Sequence, residues 1–229
     1  MKFIVIEGLD GAGKSTQIKL LQNYFRKKGF NYKYLHFPRT DSPIFGELVA
    51  RFLRGDLGNI NEVNPYLVAL IYAGDRENAS IEINNWLNKK KYVLVDRYVY
   101  SNIAFQCAKI TDKNEKPKLS NWINSLEYQY YKIPKPDVSI FLDVPLSFSK
   151  LKLGKERVGI DRDYLMGKKD IHEENMDFQN LVRDEYLNLI NSESNFFKID
   201  CSDENTNMLS PDAIFEKIVE VLTKNNIIQ

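Results

Sequence analysis

Gly8-Leu9-Asp10-Gly11-Ala12-Gly13-Lys14-Ser15 follows closely on the apolar run Phe3 to Ile6 near the start of the chain. The octapeptide has the spacing G-x-x-x-x-G-K-[ST], which cradles phosphate groups when it joins a strand to a helix. The segments on both sides of the octapeptide fit this arrangement. The apolar run has strand length, and residues at helical spacing continue after the loop until Lys28-Gly29 ends the helix. The stretch predicts a strand, a phosphate loop and a helix in succession.

This loop predicts how a nucleotide is held. Glycines let the backbone wrap closely around phosphates, and the following helix adds the partial positive charge of its N-terminus. Lys14 would bridge the β- and γ-phosphates of the nucleotide, and the Ser15 hydroxyl would join the Mg²⁺ shell. We expect the donor nucleotide to be bound by Gly8, Asp10, Gly11, Ala12, Gly13, Lys14, Ser15 and Thr16.

Four more apolar runs of strand length alternate with stretches of helical period, at Tyr32 to Phe37, Tyr92 to Val95, Val138 to Leu142 and Phe196 to Ile199. Together with the phosphate loop, this alternation predicts a three-layer α/β fold of the P-loop NTPase type. Its sheet would be mainly parallel, with five strands, helices on both faces, and ligands at the carboxyl ends of the strands. At 229 residues, we expect one domain over 1–229.

One segment, about 153–170, contains three glycines among many charges and has almost no apolar period. Such a segment buries little surface, so we predict a mobile lid there. Charge is otherwise balanced, with 32 Lys plus Arg against 31 Asp plus Glu. That balance argues against a nucleic-acid partner or a membrane surface, both of which attract strongly basic proteins.

Two cysteines, Cys107 and Cys201, are too few for a disulfide framework and lack the spacing of a metal site. The first apolar run is too short for a signal peptide or a membrane span. We therefore expect a cytoplasmic protein. His36 and His172 are isolated in the sequence, and we expect neither to act in catalysis or to bind a metal.

Asp96-Arg97 comes directly after the predicted strand Tyr92 to Val95, where it would emerge beside the phosphate loop. An aspartate in that place can hold Mg²⁺ through water, and the planar fork of an arginine suits the phosphate of an acceptor nucleotide. An ion pair that closes the strand end is the structural alternative.

The stretch 3–16 resembles the opening of the thymidylate kinases, and four further matches follow in order. The matching motifs are His36-Phe37-Pro38-Arg39, Tyr72-Ala73-Gly74-Asp75-Arg76, Asp96-Arg97-Tyr98 with Ser101, Asn102 and Gln106, and Pro134-Lys135-Pro136-Asp137. The resemblance spans nearly the whole chain. It implies transfer of the γ-phosphoryl group of ATP to dTMP with Mg²⁺, giving dTDP, and it also implies a homodimer.

The resemblance also implies roles for single residues on the acceptor side, where Phe37 and Ser101 belong to the matching motifs. Asp10 would contact the 3'-hydroxyl of dTMP, and Arg97 would grip its phosphate, helped by Arg39. Tyr72 would stack on thymine and Arg76 would bind its O4. Asn102 or Gln106, four residues apart on one helix face, would contact the polar edge of the base. Family members usually have phenylalanine at position 72, and Tyr72 as ordinary helix core is the alternative.

The family places its catalytic arginine in the lid when the phosphate loop has none, and this loop has Gly11-Ala12. Arg157 and Arg162 are the candidates, and we favour Arg162 because Asp161-Arg162 most closely resembles the lid signature of the family. An arginine of this kind contributes a factor of about 10³ to 10⁵ in turnover.

A phosphate loop would also be present in two other kinds of protein, a kinase for another acceptor and a regulatory switch. A kinase for dUMP or a deoxynucleoside would differ only around Tyr72, Arg76, Asn102 and Gln106. A regulatory switch would hydrolyse its nucleotide to change conformation and would need no acceptor site. The Asn-Lys-x-Asp run that reads guanine is absent from the sequence.

Overall fold

The computed structural model describes residues 2–145, 147–149, 164–167, 170–173 and 176–228. Five strands form one parallel sheet in the order β2-β3-β1-β4-β5. They are β1 Phe3–Gly8, β2 Tyr32–His36, β3 Tyr92–Asp96, β4 Val138–Asp143 and β5 Phe196–Asp200. All five predicted strands are therefore confirmed, with ends that differ by one or two residues.

Burial explains why these runs become strands. Every residue of β1 and β4 is buried, as expected for central strands covered on both faces. The edge strand β2 is partly exposed along its whole length. Phe37, predicted as its last residue, instead begins the following loop, although its N–H still donates to the carbonyl of Asp96 at 2.9 Å.

Apart from the helical residues 147–149, seven α-helices in the described part of the chain surround the sheet. They are α1 Lys14–Lys27, α2 Phe45–Leu53, α3 Pro65–Asn88, α4 Val99–Cys107, α5 Glu115–Asn124, α6 Met176–Ser192 and α7 Pro211–Lys224. Helix α5 runs directly into a π-helical segment, Ser125–Tyr130. Helix α1 packs with α7, while α3, α5 and α6 pack around α4. The predicted three-layer α/β fold is confirmed.

Local signals fix several helix ends. Gly13 has a φ of 79° at the N-cap of α1, and Gly29 has a φ of 72° just after its C-terminus, which confirms the predicted stop. Asn64 caps α3 by accepting from the N–H of Tyr66 at 2.9 Å. None of these helices is long and apolar enough to cross a membrane. Arg157 and Arg162, in the predicted lid, lie outside the described residues.

Candidate active site

A cavity of about 1260 Å³ opens at the carboxyl ends of β1, β2 and β3. Its volume exceeds the few hundred to ~1,000 Å³ that one ligand commonly fills, so two small molecules can lie in it together. Apart from Gly8, every predicted site residue that the structure describes lines it: Asp10, Gly11, Ala12, Gly13, Lys14, Ser15, Thr16, Phe37, Arg39, Tyr72, Arg76, Asp96, Arg97, Ser101, Asn102 and Gln106.

The phosphate loop has the backbone that its glycines predict. Gly11 and Gly13 adopt φ values of 76° and 79°, a region that strains other residues. Gly8 is favoured for another reason, because a Cβ there would make a tight contact, 3.3 Å from that of Ala12. Lys14 folds back over the loop and donates from Nζ to the carbonyls of Gly8 and Leu9, at 3.2 and 3.0 Å. Burial lowers its pKa to about 8.

Asp96 ends β3 at the floor of the cavity. Its Oδ2 lies 3.2 Å from Nδ1 of His36, the residue that ends the neighbouring strand β2. Its Oδ1 is buried and has no hydrogen-bond partner among the described residues. Burial alone would raise the pKa of Asp96, but His36 and Lys14 outweigh it and lower the pKa. The carboxylate is therefore ionised and has one oxygen available.

Arg97 connects the phosphate loop to helix α4. Its Nη2 donates to Oδ1 of Asp10 at 2.7 Å, its Nη1 donates to Oγ of Ser101 at 3.3 Å, and the guanidinium lies 5.1 Å from the ring centroid of Phe105. Arg97 has a φ of 65°, an uncommon conformation for a residue other than glycine. Burial opposes ionisation of Asp10, yet Arg97 and Lys14 lower its pKa to about 2.

Glu7 supports this arginine, a role that sequence reasoning missed. The side chain is fully buried and accepts from the hydroxyl of Ser101, from the N–H of Tyr98 at 2.9 Å and from the hydroxyl of Tyr186 at 3.0 Å. Burial raises its pKa. A glutamate in an otherwise apolar strand was the available signal, because such a residue needs partners when it is buried.

Another part of the cavity lining consists of an aromatic side chain, an arginine and amides. Tyr72 lies there with its ring 6.5 Å from that of Phe52, and burial raises the pKa of its hydroxyl. Arg76 is 2% exposed and pairs with Glu127. Asn102 donates from Nδ2 to the carbonyl of Ala69 at 3.1 Å and to Glu127 at 3.0 Å.

Gln106 lies on the same face of α4 as Asn102, and its amide oxygen accepts from Nζ of Lys109 at 2.7 Å. Because the Lys109 nitrogen donates this hydrogen bond, it engages the amide oxygen of Gln106 and leaves the NH₂ group to the cavity that Gln106 lines. Burial lowers the pKa of Lys109 to about 7.

Arg39, in the loop after β2, is hydrogen-bonded to residues of α3. Its Nε donates to Oδ1 of Asp75 at 2.9 Å, its Nη2 donates to the carbonyl of Asp75 and to Oδ1 of Asn78, both at 2.9 Å, and its backbone N–H donates to the same carboxylate. These bonds fix the loop after β2, including Phe37, against the helix that contains Tyr72 and Arg76.

His172 is another residue whose place the sequence did not indicate. It is buried beside the rings of Phe52, Phe105 and Phe178, lines the cavity, and has an Nε2 without a partner among the described residues. Burial lowers its pKa well below the usual value. Gln179, one turn into α6, accounts for the position of this segment by donating both to the carbonyl of His172 at 2.8 Å and to Oδ2 of Asp10 at 3.1 Å.

Comparison with known proteins finds similarity to thymidylate kinases. The family model described as thymidylate kinase matches residues 6–210. A probable thymidylate kinase of Methanosphaera stadtmanae is 31% identical over 223 residues, which cover 96% of this chain and 98% of the relative. A probable thymidylate kinase of Thermococcus kodakarensis is 33% identical over 192 residues, covering 82% of this chain and 83% of the relative.

A solved structure agrees on the fold. The thymidylate kinase of Candida albicans superposes with a TM-score of 0.74 at 24% identity, over 98% of this chain and 92% of that one. The family match, the long relatives and the phosphate loop beside the Asp10–Arg97 pair agree with one another. The chain belongs to the thymidylate kinase family.

Proposed function

We propose that this chain transfers the γ-phosphoryl group of ATP to dTMP, giving dTDP and ADP, with Mg²⁺ as cofactor. One observation carries the proposal: a single cavity is lined both by a phosphate loop, whose Asp10 pairs with Arg97, and by the aromatic and amide side chains of Tyr72, Asn102 and Gln106. A hydrolytic switch needs the first of these elements and has no use for the second.

The donor side fits ATP. The φ values of Gly11 and Gly13 allow the loop to turn backbone N–H groups toward a phosphate chain. Lys14 would exchange its two carbonyl partners for phosphate oxygens, which are stronger acceptors because they are charged. That exchange also returns the ammonium to a setting that favours its charged form.

The Mg²⁺ site fits the residues present. Asp96 offers an ionised carboxylate with one oxygen that has no partner among the residues that the structure describes, and Ser15 lines the same cavity. These oxygen ligands suit a hard cation, and Asp96 would act through metal-bound water. When bound, the ion neutralises the negative charge that develops on the phosphates.

The acceptor phosphate is assigned to Arg97. Each of its Nη atoms has used one N–H on protein, so the guanidinium keeps donors for a phosphate dianion. Asp10, ionised at neutral pH, would accept from the 3'-hydroxyl of the sugar. No general base is required, because the nucleophile is a phosphate oxygen that already carries negative charge at pH 7.

The base pocket follows from the same contacts. Tyr72 would stack on the pyrimidine, and Arg76, which lines the cavity, would donate to O4. The free amide oxygen of Asn102 would accept from N3–H, and the NH₂ group of Gln106 extends the polar wall. Arg39 would assist through the loop that it anchors, rather than as a free phosphate ligand, since Asp75 holds its guanidinium.

The transferred phosphoryl group is assigned to the lid. Phosphoryl transfer passes through a loose transition state that the protein mainly positions and neutralises. We assign the neutralising arginine to Arg162, with Arg157 as the alternative, because the loop at Gly11-Ala12 supplies none.

The proposal extends to assembly and location. Residues 1–229 would act as one kinase domain, supported by the single sheet that contains all five strands. A homodimer is supported by apolar side chains exposed on α3, where Leu67 is 59% and Ile81 is 78% exposed. A cytoplasmic location is supported by Cys107 and Cys201, both free thiols.

An acceptor panel tests the function. ADP release is measured with ATP and Mg²⁺ against dTMP, dUMP, dCMP, dGMP, AMP and thymidine, beside a reaction without acceptor. We expect rapid turnover with dTMP and weaker turnover with dUMP. Equal slow release with every acceptor and with none would exclude a kinase and indicate a nucleotide hydrolase.

A further inference from the structure

Glu127 connects two base-pocket residues and belongs to neither the phosphate loop nor the family motifs. It is fully buried on the π-helical segment Ser125–Tyr130, an irregular helix type that is frequent at functional sites. Its Oε2 accepts from Nε of Arg76 at 2.5 Å, and its Oε1 accepts from Nη2 of the same arginine at 2.7 Å. The same Oε1 also accepts from Nδ2 of Asn102 at 3.0 Å.

These contacts determine which way the Asn102 amide points. Its two near neighbours, the Glu127 carboxylate and the carbonyl of Ala69, can only accept hydrogen bonds. The NH₂ group must therefore face them. The amide oxygen is left buried, without a partner among the described residues, on a side chain that lines the cavity.

The same carboxylate sets the orientation of Arg76. The pair uses Nε–H and one N–H of Nη2, so Nη1 is the guanidinium nitrogen that keeps both of its N–H groups for a ligand in the cavity, among the described residues. Glu127 thus presents one donor, from Arg76, and one acceptor, from Asn102, on the same wall. This wall matches the O4 acceptor and N3–H donor of thymine, whereas cytosine has an N4–H₂ donor and an N3 acceptor in those places.

We propose that Glu127 is a positioning residue. It fixes the donor and acceptor pattern that Arg76 and Asn102 present to the base, and thereby selects the thymine edge over the cytosine edge. The inference rests on the proposed function, because it assigns the pocket of Arg76 and Asn102 to the base of dTMP. An amide in place of the carboxylate would put one NH₂ group against N–H donors, so either Arg76 turns or the Asn102 amide flips. A flipped Asn102 presents a donor to N3 and favours cytosine.

The test compares two acceptors that share the 5-methyl group and differ only at this edge, dTMP and 5-methyl-dCMP. The ratio of their kcat/KM values is measured for the wild type, Glu127→Gln and Glu127→Asp. A ratio does not depend on the folded fraction, so a loss of folded protein leaves it unchanged. Glu127→Asp keeps the charge opposite Arg76 and shortens the reach toward Asn102, which keeps the test valid if Glu127→Gln fails to fold.

We expect the dTMP to 5-methyl-dCMP ratio to fall by about tenfold or more in both variants, because a wrongly oriented polar wall leaves buried groups unpaired. Glu185→Gln, which removes another glutamate held in an ion pair, with Lys116, is the matched control and should keep the wild-type ratio. A ratio within about threefold of the wild type in the Glu127 variants, or an equal fall in the control, would overturn the inference. A wild type that turns over no dTMP would instead refute the proposed function.

Discussion

Replacement of Arg97 by lysine isolates the fork of the guanidinium from its charge. Arg97 donates to Asp10 and Ser101 from two different nitrogens and lies over the ring of Phe105. A lysine retains the positive charge beside Asp10, but its donors share one atom and cannot reach Asp10, Ser101 and an acceptor phosphate together.

The loss follows from the contacts. One charge-assisted hydrogen bond contributes about 1.5–3 kcal/mol, so losing the bond to the acceptor phosphate should lower kcat/KM for dTMP by about 10- to 100-fold. The KM for ATP should change little, because we assign the binding of the donor to Lys14 and the loop backbone. Both constants come from initial rates of ADP release, with one substrate varied while the other is saturating.

The control is Arg26→Lys on α1, where the guanidinium makes one hydrogen bond to the Tyr32 hydroxyl at 3.1 Å and does not line the cavity. We expect wild-type constants for it. A change of less than about threefold in Arg97→Lys, or an equal rise in the KM for ATP, would refute the assignment of Arg97 to the acceptor.

Three further predictions concern the stability of the protein, the loop after β2 that Arg39 anchors, and the lid. Burial and nearby Asp10 raise the pKa of Asp170 from 3.8 to about 7, so the folded state retains a proton that the unfolded state has lost. The free energy of unfolding of the wild type therefore falls as pH rises between those values. The free energy of unfolding of Asp170→Asn, measured with urea, should exceed that of the wild type by about 1–3 kcal/mol near pH 8 and lose that advantage near pH 4. Gly46→Ala puts a Cβ 2.3 Å from the carbonyl oxygen of Arg39, so urea unfolding should show a loss of about 1–3 kcal/mol and initial rates a higher KM for dTMP. Arg162→Ala should lower kcat by about 10³ or more in the same assay, with both KM values retained.

Each of these has a result that would contradict it. A constant stability difference between Asp170→Asn and the wild type across the pH range would deny that the carboxyl titrates in the fold. A Gly46→Ala variant with unchanged unfolding and unchanged KM would mean that the loop accommodates the methyl group. A larger loss of kcat in Arg157→Ala than in Arg162→Ala would transfer the catalytic role to Arg157.

The fold could be predicted because its signals are local. A phosphate loop between an apolar run and a helical period defines β1 and α1, and the other strands are short apolar runs bounded by turns. Ligands of such sheets bind at the carboxyl ends of the strands, so Asp96 and Arg97 could be assigned to the site from their position at the carboxyl end of β3.

The supporting contacts could not be predicted because they join distant parts of the chain. Arg76 meets Glu127 across 51 positions, and Asp10 meets Gln179 across 169. No period or motif specifies such a partner. A buried glutamate such as Glu7 does signal that partners exist, since unpaired burial is costly, but it does not say which hydroxyls supply them.

His36 and His172 illustrate the same limit. Isolated histidines have no spacing that indicates a role, and the sequence predicted none for either. His36 ends β2, and only the parallel register with β3 puts its Nδ1 within 3.2 Å of Asp96. His172 reaches the cavity because Gln179 holds its carbonyl.

Direct transfer of the phosphoryl group to dTMP is the central claim, and a label followed from ATP tests it. The protein is incubated with [γ-³²P]ATP, Mg²⁺ and dTMP, and the products are separated by thin-layer chromatography. The account predicts that the label appears in dTDP, that this transfer is lost in Lys14→Met, and that little inorganic phosphate forms. Label that appears as inorganic phosphate at the same rate with and without dTMP would contradict it.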